Sequence, residues 1–278
     1  VVCSSLHRES LPEAREDVLD RTSLIDLLSR VRSGDVDPTH AATEIASLSI
    51  RDVGHDAKVD GMRSLRTGLP EVVYGESKTA EQCARIAAEL DRLGHPVLVT
   101  RLDASKAGAV CEAVPEGRYH PECRVFARGR GADPNPLRGP VAIIAAGTSD
   151  LPWAEEAAVT LETIGQPVLR FYDVGVAGLH RLLSRVAEIR RAGVCIVAAG
   201  MEGALPTVVG GLVAVPVIAV PTPVGYGAGA GGIAALLGML NSCSPNVVVV
   251  NIGNGLGAAY TAALANRLTP MASPESPQ

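Results

Sequence analysis

Aromatic side chains are scarce. The chain has one Trp, two Phe and five Tyr among 278 residues, 3% of the whole. Yet 47% of residues are hydrophobic. The core therefore has to be built from Ala, Val, Leu and Ile, which suits strands buried on both faces and small-residue helices packed close to them. No Cys-x-x-C pair occurs. Cys3, Cys83, Cys111, Cys123, Cys195 and Cys243 are scattered, which argues against a structural zinc site and for reduced thiols. A basic stripe with interleaved aromatics is also missing and the net charge is −5, so nucleic acid is not expected as a partner. No apolar leader opens the sequence: Arg8, Glu9, Glu13 and Arg15 stand there instead, and a cytoplasmic location is expected.

The largest absence is of charge. From Gly203 to Asn266 there is no Asp, Glu, Lys or Arg. A hydropathy window would flag a membrane span in this stretch. However, Pro206, Pro216, Pro221 and Pro223 interrupt it, and Gly225, Gly227, Gly229, Gly231 and Gly232 follow. A spanning helix needs roughly 20 uninterrupted apolar residues. The expectation is therefore short buried elements between Gly/Pro loops, with no membrane partner. A small domain does not readily hide so long an uncharged stretch, and large exposed apolar patches mark interfaces, so a homo-oligomer is expected.

Residues 1–20 are polar and read as a flexible N-terminus, and 269–278 as a disordered tail. Helical spacing runs from Thr22 to Val31 and again from Pro38 to Leu48, with Asp37 as a cap for the second helix. The stretch from Val53 to Leu69 is charged and irregular. A strand at Glu71–Tyr74, a helix at Ser77–Leu93 closed by Gly94, a strand at Val97–Thr100, a helix at Asp103–Val114 and a strand at Arg124–Ala127 make residues 21–128 a small mixed α/β domain. Residues 129–139, rich in Gly, Pro and Asp, read as a linker. Beyond it, 140–268 alternate regularly. Strands are expected at Val141–Ala146, Val168–Tyr172, Val194–Ala199, Val217–Val220 and Val247–Ile252. Helices are expected at Pro152–Ile164 (amphipathic), Val176–Arg191, Ala204–Val213, Gly231–Ser242 and Gly257–Arg267. Continuous apolar strands alternating with helices imply an α/β fold: a three-layer parallel sheet flanked by helices, flavodoxin-like in form.

In such a sheet ligands bind beyond the carboxyl ends of the strands. After the first strand comes Gly147-Thr148-Ser149-Asp150, whose backbone amides suit a phosphate at a helix N-terminus, or which is an ordinary helix cap. After the second comes Asp173, then Gly175: a general acid or base, or a cap. After the third comes Gly200-Met201-Glu202-Gly203-Ala204. Glu202 stands either in a pocket that raises its pKa or as a helix-start charge favoured by the dipole. Asn241-Ser242-Cys243 follows the fourth strand and its helix. A Cys is more often inert core than nucleophile, but Cys243 lies in a polar turn and is the best nucleophile candidate of the six. Asn251, Gly253, Asn254 and Gly255 close the constellation.

These segments resemble the LarB family, the pyridinium-3,5-biscarboxylic acid mononucleotide synthases of nickel-pincer cofactor biosynthesis. The resemblance is carried by Ala145–Asp150, Tyr172–Arg181, Ala199–Pro206 and Leu236–Cys243, and upstream by Arg66–Gly75 and Thr100-Arg101. More distantly, the C-terminal half is similar to the PurE-type aminoimidazole ribonucleotide carboxylase/mutase. The resemblance implies carboxylation of the pyridinium ring of nicotinic acid adenine dinucleotide, with carbon dioxide or bicarbonate as co-substrate, and hydrolysis of its phosphoanhydride to release AMP. By the same resemblance Cys243 would be the thiolate nucleophile and Glu202 and Asp173 would move protons or position ligand. Gly147, Thr148, Ser149, Asp150, Gly175, Gly200, Met201, Gly203, Ala204, Asn241 and Ser242 would bind substrate. The assembly would be an octamer. No tightly bound cofactor is expected, and a magnesium requirement is left open. Asp60-Gly61-Met62-Arg63 departs from the family pattern, and no catalytic residue is assigned in the first half. The competing readings are a purine-type carboxylase/mutase and a non-catalytic nucleotide-binding protein.

Overall fold

The computed structural model describes residues 21–47, 50–61, 63–129, 131–133 and 137–268. The expected flexible N-terminus and tail lie outside these residues. Contacts divide the chain into two units, Val1–Arg51 and Asp52–Gln278. In the first, α1 (Arg21–Ser33) and α2 (Pro38–Ser47) pack together. The Asp37 carboxylate accepts from the Thr39 amide at 2.8 Å, as expected of a cap. The stretch expected to be irregular instead pairs β1 (Ile50–Val53) with β2 (Ala57–Asp60), followed by the short helix α3 (Arg63–Thr67).

The second unit contains two larger sheets. One holds β3 (Val73–Tyr74), β4 (Val97–Thr100), β5 (Arg118–His120) and β6 (Val125–Arg128), with α4 (Ala80–Arg92) and α5 (Ala104–Ala113) against it. Its order is β3-β4-β6-β5: β3 runs parallel to β4, and the other pairs are antiparallel. Thr79 caps α4 reciprocally. Its hydroxyl accepts from the Gln82 amide, and its own amide donates to the Gln82 side chain.

The other sheet contains β7 (Val141–Ala145), β8 (Val168–Phe171), β9 (Val194–Ala199), β10 (Val217–Pro221) and β11 (Val247–Val249), all parallel, in the order β11-β10-β9-β7-β8. Counted within this sheet, the order is 2-1-3-4-5, the flavodoxin-like arrangement, whose connections change direction between β7 and β9. On one face α6 (Leu151–Thr163) and α11 (Gly255–Asn266) pack Ala154, Ala157, Ala158, Ala259 and Ala262 onto Val141, Ile143, Ile196 and Ile218. The helices α9 (Leu205–Gly210) and α10 (Ile233–Leu240) cover the other face with α7 (Leu179–Leu183) and α8 (Val186–Ile189). Alanine at the helix contacts lets backbones approach the sheet closely, which is how a core with so few aromatics fills its space.

Three elements of the parallel-sheet half differ from expectation. α6 is buried around most of its surface instead of being amphipathic, because Val159 packs on Leu98 and Val125 of the mixed sheet while Ala154 and Leu161 pack on the parallel one. The expected helix at 176–191 is broken into a 3₁₀ turn at Val176–Gly178, then α7 and α8, with Arg185 outside helical geometry. β11 ends at Val249 rather than Ile252.

Candidate functional site

The change of direction between β7 and β9 opens a cavity of about 260 Å³ at the carboxyl edge of the parallel sheet. Two backbone turns form its floor. β7 runs out through Ala146 into the 3₁₀ turn Thr148–Asp150, and β9 runs out into Gly200, Met201 and Glu202. Both turns leave the strands sharply. Met201 adopts φ +52°, and a side chain at Gly200 would lie 2.3 Å from the Val224 carbonyl oxygen. Gly175 closes the third side, where a Cβ would stand 2.8 Å from the Ala146 carbonyl oxygen. Backbone comes this close to backbone only where no side chain intervenes.

Asp150 ties the strand ends together. It is 4% exposed. One carboxylate oxygen accepts from the Gly147 amide at 2.9 Å, the other from the Thr222 hydroxyl at 2.6 Å just beyond β10, and the Gly200 amide also points to it. Burial raises its pKa against the opposing pull of these donors. Thr222, completely buried, had no role assigned from sequence, although its place immediately after a strand is the signal that could have found it.

Of the residues selected from sequence, Gly147, Ser149, Asp150, Gly175, Gly200, Met201, Glu202 and Ala204 line this cavity. Thr148, Asp173, Gly203, Asn241, Ser242 and Cys243 do not. Asp173 adopts φ +54° and points into solvent, where it pairs with Arg181. Glu202 lines the cavity with its side chain exposed, and the buried carboxyl of the cavity is Asp150. The cause lies in the backbone. The Met201 turn directs the Glu202 carbonyl toward α10, where Gly238 leaves room for it (a Cβ there would be 2.4 Å away), and the side chain outward.

Cys243 does not line the cavity and lies in the turn after α10. The second half of α10 passes the Met201 turn, where Gly238 faces the Glu202 carbonyl and Met239 faces Gly203, and the turn after it packs on α9. There the Ser244 hydroxyl donates to the Thr207 carbonyl, and the Asn246 amide donates to the carbonyls of Gly210 and Val215 just before β10. Ser242 accepts from the Thr207 hydroxyl at 2.7 Å, and Asn241 donates back to the Leu237 carbonyl. Among the described cysteines Cys243 is the exposed one. Burial pushes the Cys123 and Cys195 thiols up to about 12 and raises that of Cys83, which keeps all three protonated at neutral pH. Among the described residues no three His, Cys, Asp or Glu side chains gather as a metal site would require. No helix among them is long and apolar enough to cross a membrane.

Comparison with known proteins matches the two sheets separately. Residues 50–130 match the LarB/PurE-like N-terminal domain, and residues 140–275 match AIR carboxylase. An uncharacterized protein of Methanocaldococcus jannaschii is 37% identical over 250 residues, covering 87% of this chain and 96% of that protein. Carrying both domains in this order, the chain belongs to the LarB/PurE-like family.

Proposed function

We propose that this protein carboxylates the pyridinium ring of nicotinic acid adenine dinucleotide and hydrolyses its phosphoanhydride, yielding pyridinium-3,5-biscarboxylic acid mononucleotide and AMP. The observation that carries this reading is the cavity between β7 and β9, whose wall includes the turn that opens α6, a helix N-terminus that suits a phosphoribosyl group. A pyridinium ring is an electrophile and cannot attack carbon dioxide. Addition of a thiolate beside the ring nitrogen moves an electron pair into the ring and gives a dienamine, nucleophilic at the carbon to be carboxylated. That carbon bonds carbon dioxide and then loses its proton, and expulsion of the thiolate restores aromaticity. Covalent catalysis of this kind divides one hard step into easier ones.

Cys243 is the thiolate in this scheme. Glu202, exposed on the cavity wall, is the proton carrier, and Asp173, whose carboxylate is outside the cavity, serves in positioning. Because Cys243 does not line the cavity of its own chain, a second copy supplies the thiol in this scheme. Ile233, Leu237 and Leu240, at i, i+4 and i+7 on α10, are each more than half exposed, and this apolar stripe leads directly to Cys243. A copy seated on the stripe covers it and carries its turn toward a neighbour's cavity, in a homo-oligomer that the family resemblance sets at eight subunits.

The test is Cys243→Ser, assayed for AMP release and for incorporation of labelled carbon dioxide. Both should be abolished with the fold intact, because a serine alkoxide is inaccessible near neutral pH. Wild-type turnover in this variant would overturn the mechanism. Refolding it together with a Glu202→Gln chain should restore part of the activity if thiol and cavity come from different copies. The AIR carboxylase match supports a second reading, turnover of aminoimidazole ribonucleotide, which would survive Cys243→Ser.

A further inference from the structure

Thr100-Arg101 and the Asn251–Gly255 loop take no part in the cavity at Gly147, yet the fold brings them together. They meet in a cleft of about 460 Å³ between the mixed sheet and the carboxyl edge of the parallel one. Arg101 leaves β4, and Arg124 leads into β6. Trp153 and Glu156 come from the first turns of α6, and Pro223 and Gly253 follow β10 and β11. Both arginines hold left-handed backbone, at φ +52° and +54°, a conformation that non-glycine residues keep only where surrounding structure enforces it.

The guanidinium of Arg101 is fixed from two sides. It donates to the Gly253 carbonyl at 2.5 Å and lies 4.0 Å from the Glu156 carboxylate, which is itself 4% exposed and accepts from the Leu256 amide. A guanidinium has five N–H donors, so these anchors leave others for a ligand. Arg124 is held by Asp103 at 3.0 Å, while Glu122, the other acid of the cleft, faces His120. The Trp153 indole is placed by the backbone opposite it. Gly253 adopts φ +66°, and a Cβ there would stand 2.9 Å from Trp153 Nε1.

This cleft adjoins the first cavity along two loops. Asp150 lines one and Pro152 the other; Val224 lines one and its chain neighbour Pro223 the other. Consecutive Cα atoms are about 3.8 Å apart, within the reach of a pyrophosphate link between two nucleotide halves. We propose that the cleft binds the nucleoside monophosphate half of the dinucleotide, with its phosphate on Arg101 and Arg124 and its base against the Trp153 indole. The inference rests on the dinucleotide reading above and assigns a role to the N-terminal domain, which supplies both arginines. Paired guanidiniums recognise phosphate, and an indole face stacks on a base without regard to its identity.

Trp153 is the single tryptophan of the chain, so its fluorescence reports on this cleft. AMP titrated into the full-length protein should quench it saturably. Arg101→Gln and Arg124→Gln should each weaken the effect about tenfold or more, as expected for loss of a hydrogen bond between charged groups. Arg124 is nearly half exposed, so its replacement leaves the core intact even if Arg101→Gln disturbs folding. Ribose 5-phosphate, which lacks a base, should leave the emission near its starting value. No saturable quenching by millimolar AMP, or quenching that both arginine variants retain at full strength, would overturn the assignment. Arginine-dependent AMP binding without turnover of the dinucleotide would leave the cleft standing and remove the proposed reaction. Turnover whose KM neither arginine variant changes would do the reverse.

Discussion

Replacing Asp150 by Asn tests whether one buried carboxylate holds the strand ends of the site in place. The amide keeps the shape but presents an N–H₂ group where one carboxylate oxygen stood, so a donor faces either the Gly147 amide or the Thr222 hydroxyl. A hydrogen bond to a charged group contributes about 1.5–3 kcal/mol, and a buried donor left unmade costs about 1–3 kcal/mol. Against this, the substitution relieves the burial of a charge, the effect that raises the pKa of Asp150. The balance is a loss of about 2–3 kcal/mol, which for a unit of this size lowers Tm by roughly 4–12 °C. Urea unfolding at neutral pH measures it through the midpoint at constant slope. A cycle with Thr222→Val isolates the pair. Residues sharing a hydrogen bond show coupling of about 0.5–3 kcal/mol, whereas independent sites add to within about 0.5 kcal/mol. Dinucleotide binding should weaken with stability, since the Gly147 amide loses its orientation. Asn and wild-type proteins unfolding at the same midpoint, or a cycle that closes to zero, would refute the reasoning.

Glu202→Gln should reduce turnover by about 10²–10⁴-fold while changing dinucleotide affinity little, because the amide keeps the polar shape but cannot exchange a proton; equal losses in rate and affinity would mark Glu202 as a binding group only. Leu237→Glu, on the apolar stripe of α10, should lower the oligomeric mass seen by light scattering after size exclusion, and an unchanged mass would separate the stripe from assembly. Glu156→Gln tests the buried carboxyl of the inter-lobe cleft through pH. Burial raises its pKa in the folded protein despite Arg101 and the Leu256 and Gly255 amides. The unfolded chain therefore releases this proton first, and the wild type loses stability as pH rises from the ordinary Glu range through the folded value. The variant lacks this loss, so its urea midpoint relative to wild type should improve between pH 4 and pH 8; a wild type that gains on the variant over that range would contradict the direction.

The parallel sheet was legible because its signal is local. Val194–Ala199 is apolar at every position, as a strand covered on both faces must be, and Gly147 and Gly200 mark where the chain leaves the sheet. Most of the cavity followed from a positional rule applied to those strand ends. β5 was missed because Arg118-Tyr119-His120 is a short edge strand with no apolar run, paired only to β6. The amphipathic reading of α6 failed because its second buried face is made by a sheet from an earlier part of the chain, which periodicity within the helix does not reveal. At the site, the surroundings of Glu202 and Cys243 are likewise set by contacts distant in sequence. Sequence selected both by residue type and by the strand or helix they follow. The direction of a side chain after a left-handed turn, and the segment against which the turn after a helix packs, depend instead on backbone geometry and packing between segments distant in sequence. Those long-range contacts place Asp150 in the buried floor of the cavity, leave Glu202 exposed on its wall, and keep Cys243 out of its lining.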